Sequence, residues 1–345
     1  MSQETVLVTG ASGYLGSWIS KRFLHGGYRV LASVRDPENE EKCGHLCALA
    51  EDSPGELELF GADLLRPGDF DEACLRSDLV VHSATPFLVD PVEDPEAELL
   101  RPAVEGTRNV LSAATASGRV RRVVLTSSVV ALHGDAKDVD ATEAGFFHEG
   151  HWNSSSSLKH QPYNYAKRRG EEEAWRLAEQ APWRLLVINP GFILGPALSA
   201  RADFTSAILL NRLIGGEFSS GVPALSYGVV DVREVATAHY EAAVRNGAEG
   251  RHIVVATTAT FLELAQTVDR LFPGAHKVPQ RELPKALLYL LAPKIGLSWK
   301  FISRNVGRPV RYDNRKSKRE LGLFYRPLEE TLRDHREQMI VDGLL

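Results

Sequence analysis

A tyrosine and a lysine four residues apart, Tyr163 and Lys167, are suited to proton transfer. On a helix, residues at this spacing share one face. A phenol has a pKa of about 10, but a nearby ammonium group stabilises the phenolate and lowers that pKa. Such a pair can donate a proton to a carbonyl oxygen or remove one from an alcohol. The spacing also occurs by chance on surface helices, and in the same segment Tyr165 is followed by Arg169 instead.

Two serines, Ser127 and Ser128, follow a run of β-branched and apolar residues at 122–126 that predicts a strand. In a doubly wound sheet, ligands bind beyond the carboxyl ends of the strands. A serine at this place could hydrogen-bond the same carbonyl oxygen as Tyr163. A polar strand-to-loop turn is the alternative, because serine favours turns.

Three glycines, Gly10, Gly13 and Gly16, separate an apolar run at 5–8 from an amphipathic stretch at 14–25. Strand, glycine turn and helix in this order are typical of a pyrophosphate site. The first glycine permits a sharp turn, the second a close approach of backbone to phosphate, and the third close helix packing. The helix N-terminus then presents N–H groups to the anion. A glycine-rich turn without a ligand is the alternative.

The first 190 residues alternate between predicted strands and helices. Repeated units of this length indicate an α/β fold, a doubly wound parallel sheet of the NAD(P)-binding Rossmann type with a smaller C-terminal substrate lobe. The rhythm breaks after Pro190. We therefore expect residues 1–190 plus 231–257 to form the cofactor-binding domain, and 191–230 plus 258–345 the substrate-binding lobe. The strands are expected at 28–34, 56–60, 79–81, 122–126, 184–189 and 251–256, and the helices at 39–50, 96–117, 163–180, 205–214 and 231–245.

The composition of the 345 residues is that of a globular protein, with 43% hydrophobic and 25% charged residues. A net charge of −5 gives no basic footprint for nucleic acid. Cys43, Cys47 and Cys74 form neither a disulfide framework nor a metal cluster, which favours a reducing compartment. A strand begins near the N-terminus, leaving no room for a signal peptide, and the most apolar run, 286–292, is too short for a membrane span. We expect a cytoplasmic protein, a monomer or homodimer, without a metal.

Taken together, these segments resemble the extended short-chain dehydrogenase/reductase family, from Val6 to about Leu332. The similar branch contains dihydroflavonol 4-reductase, cinnamoyl-CoA reductase and the yeast and bacterial aldehyde or ketone reductases. The resemblance is carried by TGASGYLGSW (9–18), VRDP (34–37), ADL (62–64), VVHSATPF (80–87), EGTRNVL (105–111), RVVLTSS (122–128), YNYAK (163–167), INPGFILGP (188–196) and VVDVREVATAH (229–239).

The resemblance implies catalytic roles for four residues. Tyr163 is the general acid in reduction, and Lys167 lowers its pKa and holds the nicotinamide ribose. Ser128 orients the substrate carbonyl, with Ser127 as the alternative. It also implies cofactor contacts by Gly10, Ser12, Gly13, Tyr14, Leu15 and Gly16 in the loop, by Asp63 and Leu64 at the adenine, by Ala84, Thr85 and Ser127, by Tyr163 and Lys167, and by Pro190 beside the nicotinamide.

The end of the second predicted strand indicates the cofactor type. NAD-binding folds usually place an acid there to bind the ribose 2′-hydroxyl, whereas this strand ends in Arg35. A guanidinium can bind a 2′-phosphate bidentately. In the resembled branch an arginine here and a lysine seven residues on bind that phosphate, and Arg35 and Lys42 stand at those places. The neighbouring Asp36 would have to point outward or pair with a base. We predict that NADP(H) is preferred over NAD(H).

The chain also departs from the family pattern. Gln161 and Pro162 precede the tyrosine where cinnamoyl-CoA reductases carry asparagine and tryptophan, which argues against that activity. Glu105 stands where many extended enzymes have asparagine, which leaves the proton relay open, and 61–69 shows no sugar-nucleotide signature. Substrate contacts are predicted at Phe87, Val129 and Phe192, with Ala131, Trp152, Phe204 and Tyr227 as further candidates that could equally be core residues.

These observations favour an NADPH-dependent reductase of aldehydes or ketones, with a small-molecule carbonyl or alcohol as partner. A 3β-hydroxysteroid-type dehydrogenase working oxidatively and an NAD-dependent sugar-nucleotide epimerase/dehydratase are the alternatives among enzymes. A redox-sensing NADP-binding protein without activity is the alternative of another class. The presence of Ser128, Tyr163 and Lys167 together argues against the sensor, since a pure binder needs no such set.

Overall fold

Seven parallel strands form the central sheet, in the order β3 (Glu56–Gly61), β2 (Arg29–Val34), β1 (Thr5–Thr9), β4 (Leu79–His82), β5 (Arg122–Thr126), β6 (Arg184–Pro190) and β9 (Gly250–Val254). The computed structural model describes residues 3–85, 92–200 and 205–345. This strand order, with its reversal between β1 and β4, is that of a doubly wound Rossmann sheet, so the predicted fold class is confirmed. The other strands are β7 (Phe192–Leu194), β8 (Ser226–Asp231) and β10 (Thr257–Thr260).

Helices cover both faces of this sheet and differ little in extent from those predicted. The predicted helix at 96–117 is divided, because one π-helical turn at Glu96–Leu100 precedes the regular α-helix. The helices are α1 (Tyr14–His25), α2 (Glu40–Glu51), α3 (Asp71–Leu75), α4 (Arg101–Ser117), α5 (Pro162–Ala178), α6 (Thr205–Ile214), α7 (Val232–Val244), α8 (Phe261–Leu271), α9 (Lys285–Ile295), α10 (Trp299–Asn305), α11 (Arg315–Leu321) and α12 (Leu328–Val341).

The inner strands β1, β4 and β5 are mostly apolar on both faces, as expected of a parallel sheet covered by helices. Along β1, Val6 and Val8 belong to the cluster on one face, which α1 and α7 cover, while Leu7 belongs to the cluster on the other face, which α4 covers. All three side chains are fully buried. Burial on both faces fixes the register of β1, because a slip of one residue would exchange the two layers.

A second sheet of three strands, in the order β10-β8-β7, has its own apolar cluster with α6, α8 and α12. β8 is antiparallel to β10 and parallel to β7. This sheet follows the point at which the sequence rhythm breaks. However, α11, from the C-terminal segment, packs on α7 and β9 of the central sheet. The exact domain bounds therefore stay a prediction.

In the part of the chain that the structure describes, no helix has both the length and the apolar character needed to cross a membrane. The segment containing 286–292 forms α9, in which Leu288 and Ala292 are buried while Leu290 is 77% exposed. One face of α9 is therefore part of an apolar cluster, while the opposite face lies at the surface.

The turn between β1 and α1 contains the glycine at which an added Cβ would come closest to another backbone atom. Gly10 has φ +67°, and a Cβ there would lie 2.9 Å from Cα of Ala84. A Cβ on Gly16 would lie 2.1 Å from the carbonyl oxygen of Gly10. The third glycine of the motif therefore lets the first turn of α1 rest directly on the turn that leaves β1.

We predict opposite effects for alanine at two helical glycines. Gly16→Ala forces backbone apart and is expected to lower the free energy of unfolding by about 1–3 kcal/mol. Gly44→Ala in α2 is the control, because a Cβ there meets nothing within 4 Å. It should raise stability by about 0.5–1 kcal/mol through helix propensity. Urea unfolding measures both, and equal effects in the two variants would contradict the packing argument.

Candidate active site

The candidate catalytic side chains meet at the carboxyl ends of the central strands. α5 places Tyr163 in its first turn and Lys167 one turn later, and Ser127 and Ser128 follow β5 directly. The Lys167 ammonium donates to the carbonyl oxygen of Thr126, at 3.3 Å, which anchors it to the end of β5. The structure therefore brings the three predicted groups to one edge of the sheet.

Lys167 is 7% exposed, and burial lowers its pKa to about 8, with the nearby Glu171 carboxylate opposing the shift. Burial also raises the pKa of the Tyr163 phenol well above its usual range. The net shift of the Tyr163 pKa is therefore opposite to the predicted lowering, because burial dominates it while the Lys167 ammonium lies against the Thr126 carbonyl.

The second tyrosine of the segment is separated from this site. Tyr165 accepts a hydrogen bond from Nη1 of Arg169, at 3.1 Å, at the exposed surface of α5. Its guanidinium partner also lies 5.8 Å from the centre of the phenol ring. Of the two tyrosines, only Tyr163 shares a helical face with Lys167.

The two serines after β5 have different partners. The Ser127 hydroxyl is buried and donates to Oε2 of Glu171, at 2.5 Å. The Ser128 hydroxyl is partly exposed, donates to the Pro190 carbonyl at 3.4 Å and accepts from the N–H of Val130 at 3.3 Å. Since Ser127 is engaged with a buried carboxylate, Ser128 is the serine with capacity for a further partner, which keeps the preference for Ser128.

Glu171 is the main residue at this site that the sequence reasoning missed. It is 1% exposed and accepts from Nδ2 of Asn189 at 3.0 Å, while its Oε1 lies 2.6 Å from Nε of the buried Arg251. The carboxylate therefore joins α5 to β5, β6 and β9. Its position four residues after Lys167, on the same helical face, was the available signal. Pairing with a strand residue 80 positions away could not be predicted from the sequence.

A small pocket lies beside Lys167, with a volume of about 20 Å³, which is room for one water molecule. Its wall includes His82 and Thr107, as well as Thr85, Ser127 and Glu171. Burial lowers the pKa of His82 to about 3, so this imidazole is neutral and shares a hydrogen bond with Thr9 at 2.8 Å. Glu105, whose effect on the relay was left open, is exposed on α4 and does not line the pocket.

The N-terminus of α1 suits an anion. Gly13 caps it without a side-chain hydrogen bond, and the first turn holds no acidic residue, so the helix dipole is available to an anion. The hydroxyl of Tyr14 donates to the carbonyl oxygen of Gly195, at 2.7 Å, which ties this turn to the segment after β7. Ser12, Leu15 and Gly16 belong to the same turn.

The two basic residues predicted for a 2′-phosphate stand at the neighbouring edge. Arg35 follows β2 and Lys42 lies in the first turn of α2; both are exposed, and neither has an ion-pair partner within the described residues. The carboxylate of Asp36 accepts the N–H of Glu38, at 3.2 Å, and so stabilises its own turn. The two cations are therefore available to an anionic group.

The residues predicted at the adenine lie after β3. Asp63 is exposed, and its Oδ1 accepts from the N–H of Leu65, at 2.8 Å. Leu64 packs on α4 at Gly106, where a Cβ would lie 3.2 Å from that of Leu64, and its carbonyl accepts from Nδ2 of Asn109 at 2.7 Å. Ala84 backs the glycine turn, as described above.

The predicted substrate contacts have mixed placements. Val129 is 5% exposed and packs with Leu132, Ile253 and Val255, so it is a core residue in this structure. Phe192 is partly buried, with its ring centre 6.4 Å from that of Tyr227. Phe87 and Phe204 lie outside the described residues. Trp152 is 41% exposed and lies over the guanidinium of Arg251, at 4.1 Å, while Ala131 is buried.

Among residues 3–85, 92–200 and 205–345, no group of three or more histidine, cysteine, aspartate or glutamate side chains is arranged to hold a metal ion. Cys43, Cys47 and Cys74 form no disulfide bond, and of these three cysteines only Cys47 is exposed. His45, between the first two, meets the hydroxyl of Ser17 on α1 at 2.8 Å. The His45–Ser17 contact joins α2 to α1.

Comparisons with known proteins agree with this geometry. The sequence model of the NAD dependent epimerase/dehydratase family matches residues 6–256. The cinnamoyl-CoA reductase CAD2 of Medicago truncatula is 34% identical over 339 residues, covering 97% of this chain and 95% of that protein. Tetraketide alpha-pyrone reductase 2 of Arabidopsis thaliana is 36% identical over 271 residues, covering 78% of this chain and 83% of its own length.

Solved structures match along nearly the whole chain. Yeast methylglyoxal/isovaleraldehyde reductase Gre2, complexed with NADPH, is 27% identical with a TM-score of 0.78, covering 99% of this chain and 100% of that one. Gre2 of Candida albicans in its NADPH complex is 27% identical with a TM-score of 0.79, and the match covers 98% of this chain and 99% of that one. The chain therefore belongs to the NAD dependent epimerase/dehydratase family, within the extended short-chain dehydrogenases/reductases, and fits the branch of dihydroflavonol- and aldehyde-reductase-like enzymes.

Proposed function

We propose that the protein is an NADPH-dependent reductase that converts an aldehyde or ketone to an alcohol. The observation that carries the proposal is the shared helical face of Tyr163 and Lys167 at the edge of the sheet where the glycine turn also lies. A proton donor and an anion site at one edge are what reduction of a carbonyl by a dinucleotide requires. The relatives described above are named as reductases, which supports the same class.

The residues that would hold NADP(H) fit that group. The uncapped N-terminus of α1 suits the pyrophosphate, and Gly10 and Gly16 keep side chains out of the turn. Arg35 and Lys42 suit the 2′-phosphate, since both are exposed cations without an ion-pair partner in the described chain. When bound, the nicotinamide supplies the hydride. An acidic residue at position 35, as in NAD-preferring folds, would favour the NAD-dependent epimerase alternative. This chain has Arg35 there instead.

Tyr163 would donate the proton to the carbonyl oxygen of the substrate. Its raised pKa keeps the phenol protonated at neutral pH, which is the form that a proton donor needs. The Lys167 ammonium would then stabilise the phenolate as it forms. Ser128 would hydrogen-bond the same carbonyl oxygen. We assign the substrate to the side of the site formed by β7 and β8, where Phe192 and Tyr227 stand.

Tyr163→Phe should lower kcat/KM for reduction by about 10²–10⁴-fold, the usual contribution of a general acid. Binding of NADPH, followed by its fluorescence, should remain within about twofold, because the phenyl ring preserves the packing. Tyr165→Phe is the matched control on the same helix and should leave turnover unchanged. Wild-type-like turnover in Tyr163→Phe would contradict the proposed mechanism.

Arg35→Ala should raise the Kd of NADPH by about tenfold or more, because a charge-assisted contact to phosphate is worth about 1.5–3 kcal/mol. The Kd of NADH should change little, since NADH lacks the 2′-phosphate. Arg29→Ala, at the opposite end of β2, serves as control: this arginine pairs with Glu58 at 2.7 Å. Equal weakening of NADPH and NADH by the Arg35 change would overturn the cofactor preference.

The pH dependence should report Lys167. Because its pKa is lowered to about 8, the fraction that carries a positive charge falls as pH rises through about 8. We expect kcat/KM for NADPH, which reflects the free enzyme, to decline over the same range. The arginine in Lys167→Arg keeps its charge at these pH values. The kcat/KM of this slower variant should therefore not decline near pH 8. A decline near pH 8 that persists in Lys167→Arg would assign it to another group.

A further inference from the structure

Gln161, the residue before α5, has an unusual backbone conformation. Its φ and ψ are 55° and 60°, and it is the one non-glycine residue with positive φ among those described. The left-handed region is unfavourable for L-residues with a side chain, and a following proline disfavours helical conformations further. Pro162 follows, and Tyr163 is two residues on. Tyr163, the candidate proton donor, therefore lies only two residues after a strained backbone position.

The side chain of Gln161 is hydrogen-bonded at both ends. Its Nε2 donates to the carbonyl oxygen of Gly134 and to Oδ1 of Asp135, the latter at 2.8 Å. Its Oε1 accepts from Nδ2 of Asn164, at 2.9 Å. The backbone carbonyl accepts the N–H of Tyr165, at 3.1 Å, and so begins the helix. The amide nitrogen, the amide oxygen and the backbone carbonyl of Gln161 are thus each hydrogen-bonded, and together these contacts hold its left-handed conformation.

Asp135 is the centre of this arrangement and is fully buried. Its carboxylate accepts from Nε2 of His160 at 2.9 and 3.0 Å, from Nδ2 of Asn305 at 2.8 Å, and from Arg304. Burial opposes ionisation of Asp135, but these hydrogen bonds outweigh it and hold its pKa below the usual range. We call Asp135, His160, Gln161, Arg304 and Asn305 the Asp135 junction.

We propose that the Asp135 junction positions Tyr163, by holding Gln161 in the left-handed conformation from which α5 begins. The inference rests on the proposed function, in which Tyr163 donates the proton. Arg304 and Asn305 belong to α10 and lie about 170 residues from Asp135. The junction therefore also fixes the C-terminal part of the chain relative to the catalytic helix. None of its members is assigned contact with substrate; they are positioning residues.

The strain itself provides a test that separates positioning from mere packing. Gln161→Ala removes the amide and leaves a Cβ in the left-handed region, whereas Gln161→Gly removes the amide and the strain together. We expect Gln161→Ala to lower kcat by about 10–100-fold, the scale of a small misplacement of a catalytic group, with the Kd of NADPH unchanged. Gln161→Gly should recover most of that loss.

A second comparison uses two ion pairs between the same parts of the chain. Arg304→Ala removes the partner of the buried Asp135, while Arg308→Ala removes the partner of the exposed Asp140, at 2.8 Å. Exposed pairs contribute little, so Arg308→Ala should retain wild-type kcat. Arg304→Ala should lower kcat by about tenfold or more by the same misplacement, again without weakening NADPH.

Hydrogen exchange of the Tyr165 amide gives a readout that does not need turnover, because this N–H donates to Gln161. It should exchange faster in Gln161→Ala and close to wild type in Gln161→Gly. Equal losses of kcat in the Ala and Gly variants, or no loss in either, would overturn the positioning role. A wild-type protein that reduces no carbonyl would instead refute the proposed function. In that case unchanged exchange in Gln161→Ala would refute the positioning role separately.

Discussion

The buried carboxylate of Glu171 is the interaction on which the candidate site depends most. A charge at 1% exposure is tolerated only when it is paired and hydrogen-bonded. Here Arg251 supplies the opposite charge, and Ser127 and Asn189 supply hydrogen bonds. Removal of one partner would leave an uncompensated buried charge, which costs about 3–5 kcal/mol in comparable cases. The pairing therefore holds α5, and with it Lys167, against the ends of the strands.

The same solution occurs at two other places where distant parts of the chain meet. Asp135 is fully buried and bonded to α10, as described above. Asp231, 1% exposed, pairs with Arg233 at 2.7 Å and accepts from the hydroxyl of Thr331 on α12 at 2.9 Å. Each carboxylate has several directed partners, and such bonds have stricter geometry than apolar contacts. Apolar clusters bring the layers together. Asp135 and Asp231 fix where the C-terminal helices α10 and α12 meet the rest of the chain, whereas Glu171 fixes α5 on the central sheet.

Whether a residue's role could be predicted depends on how far along the sequence its contacts lie. The β1 turn was predictable because three glycines act within one loop, and the structure shows why Gly16 admits no Cβ. Val129 was expected at the substrate but is packed against β9, because the strand that covers it comes about 120 residues later. The pKa of Tyr163 was predicted with the wrong sign, since desolvation depends on everything packed around the phenol and only one neighbour was considered.

The sequence by itself determined the strand–helix alternation, the glycine turn, and the helical spacing of Tyr163 and Lys167, because each depends on contacts within a few residues. It also determined that Arg35 follows the last residue of β2. The tertiary structure decided which serine meets Glu171, that Arg251 neutralises it, and that Asp135 ties α10 to Gln161. These contacts join segments tens to hundreds of residues apart, and their geometry exists only after the sheet and the C-terminal helices have packed.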